Sequence, residues 1–175
     1  GKGRRGRNWS TPSGSAIAMT LIIRPRMRPE KASMLTLVMG LAVASACRRL
    51  YGLEAGIKWP NDVVVDGKKL CGILTEMSTE MNVINYLVIG TGINVNMQTF
   101  PPEIRKTATS LRLELGEEVK RAVLIEQCLE RFEEYYEIFM ETEDLSKLQD
   151  EYNQLLVSAG RKVRVLTPGN EYWGT

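Results

Sequence analysis

Ile17, Met19, Leu21 and Ile23 alternate with smaller or polar residues over Ala16 to Ile23, and Arg24-Pro25 closes the run. A period of two over this length predicts a strand. Pro29 and Glu30 then open a helix predicted to run to Tyr51. Proline loses nothing at a first turn, where its missing N–H has no partner, and Gly52 supplies the stop. Met34, Leu37, Val38, Leu41 and Cys47 keep helical spacing, and the small residues around them imply cover by a sheet. Short strand signals follow at Gly56–Trp59, Val63–Val65, Lys69–Met77 and Val83–Ile89. Asp66-Gly67 is a hairpin turn signal, because glycine tolerates positive φ, and the polar stretch 78–82 predicts the next turn. Glu117–Met140 carries a stripe of Leu124, Cys128, Phe132, Tyr135 and Phe139 at helical spacing, with acidic residues on the other face. A further helix is predicted over about Asp144–Val157, ended by Gly160. A hairpin with strands at Lys162–Leu166 and Glu171–Gly174 follows.

Hairpins beside long helices, without βαβ alternation, predict an α+β fold with a mostly antiparallel mixed sheet. The expected division is a first domain over 1–158 and the beginning of a small β domain over 159–175. The apolar run Met34–Cys47 falls short of the ~20 residues that span a bilayer, so no membrane partner is expected. The chain has 175 residues, enough for one substantial core.

It contains no histidine, which excludes Ser-His-Asp and Cys-His nucleophiles and every zinc site that needs an imidazole. Cys47, Cys71 and Cys128 are widely spaced, which argues against a disulfide scaffold and for a reducing, cytoplasmic setting. The net charge of +2 hides an asymmetry. Residues 1–29 hold Lys2, Arg4, Arg5, Arg7, Arg24, Arg26 and Arg28 and no acid, so the rest is net negative. A basic head implies contact with an anion.

Four polar or glycine-rich motifs carry the candidate chemistry. In Gly1-Lys2-Gly3-Arg4-Arg5-Gly6-Arg7-Asn8-Trp9, the glycines free backbone N–H groups to approach an anion and the basic side chains supply charge. A basic tail that binds nucleic acid, or nothing, is the other reading, and Trp9 either stacks on a base or anchors the loop. Lys58-Trp59-Pro60-Asn61-Asp62 presents Asn61 and Asp62 at a strand end, where a plain Asx turn is the alternative. In the segment 66–76, Lys69 should point to the face opposite Lys68. On a covered face it would need an anionic partner; otherwise it is an exposed turn lysine. Gly72 implies close approach of something to the backbone. Gly90-Thr91-Gly92-Ile93-Asn94 closes an apolar strand and would be weak alone, as a bulge or turn.

In this order and at these intervals, the four motifs resemble the catalytic domain of biotin–protein ligases (biotin–[acetyl-CoA-carboxylase] ligases). K-W-P-N-D followed by G-K-K-L-x-G-I-L is the most specific part. The resemblance is dense over Gly1–Asn96. It implies a class II aminoacyl-tRNA synthetase-like fold of the biotin/lipoate ligase type, with residues from 159 starting an SH3-like domain. It implies two steps: biotin and ATP give biotinyl-5′-AMP, and a lysine of a biotin carboxyl carrier protein then takes the biotin. By the same resemblance Lys69, Arg4 and Asp62 are catalytic. Lys2, Gly3, Arg4 and Lys69 hold biotin, and Trp9, Asn61, Asn94 and Lys69 hold the adenylate. Mg²⁺ would accompany ATP, with its ligands left open.

The family carries arginine where Lys2 stands, and lysine lacks the planar fork for bidentate contact. The family also has a segment before this loop that shapes the biotin pocket, so the expectation is a piece of a longer protein. Two other functions stay open. One is a lipoate–protein ligase-like adenylating enzyme. The other is a non-catalytic basic module whose nucleic-acid affinity would fall steeply with salt. A homodimer is also possible. DNA would be a partner of a ligase only through an upstream helix-turn-helix domain.

Overall fold

The computed structural model describes Gly3, Trp9 and residues 11–167 and 169–174. Among these, the strands are β1 (Ala16–Ile23), β2 (Gly56–Lys58), β3 (Asp62–Val65), β4 (Lys68–Glu80), β5 (Val83–Asn94), β6 (Val163–Thr167) and β7 (Asn170–Gly174). The α-helices are α1 (Leu35–Tyr51), α2 (Leu111–Leu115), α3 (Arg121–Thr142) and α4 (Gln149–Leu155). A 3-10 turn over Pro29–Met34 leads into α1. Five strands form one antiparallel sheet in the order β1-β5-β4-β3-β2, while β6 and β7 pair only with each other. The α+β architecture is the one expected from the pattern.

The hairpins explain why these strands pair. Asp66 and Gly67 have φ of 48° and 74°, and Met81 and Asn82 have 48° and 62°. Two consecutive positive φ values make the tight turn whose twist matches that of the flanking strands. Strand β4 therefore runs to Glu80 and the turn is confined to Met81-Asn82, shorter than the polar stretch 78–82 predicted. Strand β5 runs past Ile89 to Asn94, because Gly90 and Gly92 are paired on both sides, to Leu74 and Gly72 of β4 and to Thr20 and Ala18 of β1. Two ladders hold a glycine-rich segment that propensity alone disfavours in a strand.

One face of the sheet is covered. Helix α1 lies on it, and Gly40 of that helix lets Ile73 and Ile57 approach to 3.7 and 4.0 Å of where a Cβ would sit. Thr36 of α1 donates to Thr75 Oγ1 of β4 at 2.8 Å. Helix α3 packs on α1, adding Leu124, Cys128, Phe132, Tyr135 and Phe139 to one continuous core. Pro29–Tyr51 is long and apolar enough to cross a membrane by length and composition. Yet Leu35, Val38, Met39, Leu41 and Val43 are fully buried among the sheet and α3, the position of a core helix. Gly52 ends α1 with φ 66°, as its sequence position predicts. Helix α3 starts at Arg121, after Gly116, and α4 is shorter than predicted.

Cys47, Cys71 and Cys128 are free and buried. Removal from water, which penalises the thiolate, pushes all three thiols up, Cys128 to about 12.

Candidate functional site

The uncovered face of the sheet forms the floor of a cleft of about 990 Å³. Its walls come from strand ends and from the segment 97–109. Gly3, Trp9, Asn61, Asp62, Lys69 and Asn94, read from four separate motifs, all line this one space. Lys2 and Arg4 lie outside the described residues.

Lys69 reaches the cleft through an irregularity. Val63 pairs with Cys71, and Val64 with Lys69, so Leu70 is an extra residue in β4. Such a bulge breaks the alternation of faces. Leu70 and Cys71 are consequently both buried, and Lys69 shares the open face with Gly72, which strict alternation forbids. The lysine is therefore not on the covered face; its side chain is 47% exposed. It does have the anionic partner such a position calls for. Its Nζ lies 2.6 Å from Asp62 Oδ1, an ion pair at the cleft wall. The approach is too poorly angled to count as a hydrogen bond, so Asp62 Oδ1 has no hydrogen-bond partner.

The main chain of Lys69 is fixed more firmly than its side chain. Its N–H donates to Thr107 O at 2.8 Å, and its carbonyl accepts from Thr109 N–H at 2.9 Å. Where β5 ends, the segment 107–109 takes its place beside β4. Asn94, 8% exposed, seals this junction: its Nδ2 donates to Thr109 O at 3.0 Å and, more weakly, to Lys69 O at 3.5 Å. Ser110 caps α2 by accepting from Leu113 N–H and donates to the Met97 carbonyl, which anchors the same segment from below. Asn61 also serves the frame. Its Nδ2 donates to Ile73 O at 3.0 Å and its carbonyl accepts from Ile73 N–H at 2.9 Å, after a cis Trp59-Pro60 bond.

Two glycines shape the floor. A Cβ on Gly72 would lie 2.9 Å from Lys69 Nζ and 3.0 Å from its Cε. A Cβ on Gly92 would lie 3.1 Å from two ring carbons of Trp9. The close approach that Gly72 implies in the sequence is made by the chain's own lysine. The strap at residues 107–109 carries no motif; only the need of the Lys69 N–H and carbonyl for partners beyond the end of β5 implies it. An ammonium, a carboxylate and an aromatic ring beside the bare glycines of this floor can take an anionic group next to a planar one.

A sequence profile of the Biotin/lipoate A/B protein ligase family matches residues 1–94. The chain is 37% identical over 176 residues to the bifunctional ligase/repressor BirA of Bacillus spizizenii, covering 99% of this chain and 54% of that protein. It is 33% identical to the biotin–[acetyl-CoA-carboxylase] ligase of Mycobacterium tuberculosis, covering 98% and 62%. The chain thus spans a little over half the length of these curated relatives. Among solved structures it resembles a biotin protein ligase from Aquifex aeolicus in complex with biotin and ATP. The TM-score is 0.84 at 28% identity, over 99% of this chain and 71% of that one.

Proposed function

Because this chain belongs to the biotin/lipoate A/B protein ligase family, we propose that its protein joins biotin to a carrier protein in two steps. In the first, a biotin carboxylate oxygen attacks the α-phosphorus of ATP and pyrophosphate leaves with the bonding electrons. In the second, an acceptor lysine amine attacks the acyl carbon, loses a proton, and AMP departs. The observation that carries the reading is the ion pair of Lys69 and Asp62 on the glycine floor, inside the matched span.

Lys69 has the charge this chemistry needs. Two anions must meet, and an ammonium fixed between them stabilises the negative charge that grows on the phosphoryl oxygens. Asp62 orients that ammonium while no substrate anion is present. Trp9 offers a flat surface for the adenine. Asn61 and Asn94 act through the frame that they brace, and both also line the cleft. Gly3, with Lys2 and Arg4, is assigned to the loop over biotin and the adenylate by resemblance. We place the β6–β7 hairpin in a second, SH3-like unit beginning near residue 159. The carrier would be that of acetyl-CoA carboxylase or a related carboxylase. Three free buried thiols fit a reducing compartment such as the cytoplasm.

Mg²⁺ would neutralise phosphate charge. Among the described residues no three acidic, cysteine or histidine side chains gather into a cage. The residues present fit a cation carried largely by phosphate oxygens with Asp62 as a protein carboxylate, the usual manner for magnesium.

The test is biotin-dependent exchange of labelled pyrophosphate into ATP by the full-length protein. Lys69→Ala should lower it by about 10²-fold or more, the scale for losing one preorganised electrostatic donor. Exchange that ignores biotin would refute the ligase reading, and an unchanged rate in the variant would refute the role of the lysine.

A further inference from the structure

Gly72 and Gly92 are direct partners across β4 and β5. Directly opposed residues in an antiparallel pair have Cα atoms about 4.5–5.5 Å apart and project side chains to the same face. On that face neither has one, and each space is filled from elsewhere in the chain. The Lys69 ammonium occupies the place above Gly72, and the Trp9 indole the place above Gly92.

We infer that Gly72 and Gly92 are a pair of positioning residues, two adjacent seats that fix where the ammonium of Lys69 and the indole of Trp9 stand. The inference rests on the ligase reading only in giving those two side chains a reaction to serve. Three observations carry it. First, the obstruction is one-sided. The atoms a Gly72 methyl would meet are the far end of a flexible lysine and, at 3.7 Å, Asp62 Oδ1. The backbone is not in the way, so the fold absorbs alanine there while the ammonium cannot stay. Second, the bulge at Leu70 is what brings Lys69 and Gly72 to one face, so seat and occupant come from a single local device. Third, other glycines of the sheet are used differently. A methyl on Gly56 would strike Val157 Cγ1 at 2.5 Å and approach the Leu155 carbonyl to 3.1 Å, which is packing between β2 and the segment after α4. The two seats also differ in tolerance. At Gly92 the indole need yield by only a few tenths of an ångström, so its displacement is smaller than that of Lys69.

The test needs neither biotin nor ATP, so its failure leaves the ligase reading standing, and loss of exchange activity leaves the seats standing. The probe is an amine-acylating reagent, acetic anhydride at limiting dose, with labelling of each lysine read by mass spectrometry in the full-length protein. Held against the sheet by Asp62, the half-exposed Lys69 is partly shielded; freed, it should label about two- to fivefold faster, the factor that corresponds to an ion pair of this exposure. Gly72→Ala should show this increase at Lys69 alone, with a melting temperature close to that of the parent. Asp62→Asn should show it too, and the double variant should go no further than either single one. Gly56→Ala should lower the melting temperature and leave Lys69 labelling unchanged. Parental labelling in Gly72→Ala, failure of that variant to fold, or additivity in the double variant would each overturn the first seat. For the second, Trp9 is left as the single tryptophan of the full-length protein by replacing every other one with Phe, Trp59 and Trp173 among them. Gly92→Ala should then raise its quenching by acrylamide, and unchanged quenching would overturn it.

Discussion

Where the sheet meets α1, Ile17, Ile73, Ile89 and Ile93 are each 3% exposed or less. On the reverse of the same strands stand Ala18, Gly72, Gly90 and Gly92, with Lys69, Asp62 and Asn94 at the end of the row. The covered side is filled by its own side chains. The open side is bare at its glycines, where the ends of Lys69 and Trp9 are laid across it, and carries Thr20, Leu74 and Val88 further along. The contrast teaches that a sheet can put all its cohesion on one side and leave the other free for chemistry. A change on one side should then register as stability and on the other as placement.

Ile89→Ala is the harshest trial of that division. It should cost about 2–5 kcal/mol in urea unfolding, the range for truncating a buried isoleucine. The adjacent Val88→Ala, on the open side, should stay within about 0.5 kcal/mol. Equal costs would erase the distinction. Gly56→Ala comes next, at about 1–3 kcal/mol, the usual penalty for overpacking. Asp62→Asn should move the unfolding free energy by no more than about 1 kcal/mol, since a pair this exposed is well screened; a larger loss would make the ion pair structural. The last effect vanishes at neutral pH. The Cys128 thiol is raised from 9.0 to about 12 by burial. Below 9 the thiol is protonated folded or unfolded. Above it the unfolded chain ionises first and releases a proton, so stability should decline from pH 9 towards 12. Cys128→Ala in parallel should make that decline shallower without abolishing it, since the raised Cys47 and Cys71 thiols act in the same sense, and an identical slope would exclude Cys128 as a contributor.

Much of the covered side was legible from the sequence. Strand β1 shows its alternation openly because one face is buried, and Gly52 and Asp66-Gly67 state their backbone requirement in the residue itself. The site was legible as a set of motifs and less so as a geometry. Nothing near Leu70 announces a bulge, so alternation leaves open which face Lys69 takes and does not place it beside Gly72. The extension of β5 to Asn94 depends on neighbours on both sides, which no local window contains. Helix α2 is five residues long, too short for a period to emerge. The strap at 107–109 reaches Lys69 across nearly forty positions, as a contact made by backbone atoms and silent in any motif.

That strap has a consequence for how this protein can vary. Since residue 69 is moored by peptide groups, the mooring itself does not read side chains: the exposed Thr107 can change and still offer its carbonyl, whereas the buried Thr109, whose hydroxyl donates to Glu114, is limited by its own packing and not by the bond it gives. Drift at 107 would leave the main chain of Lys69 where it is, and proline at 109, which has no N–H to give, is the replacement that would cut the line.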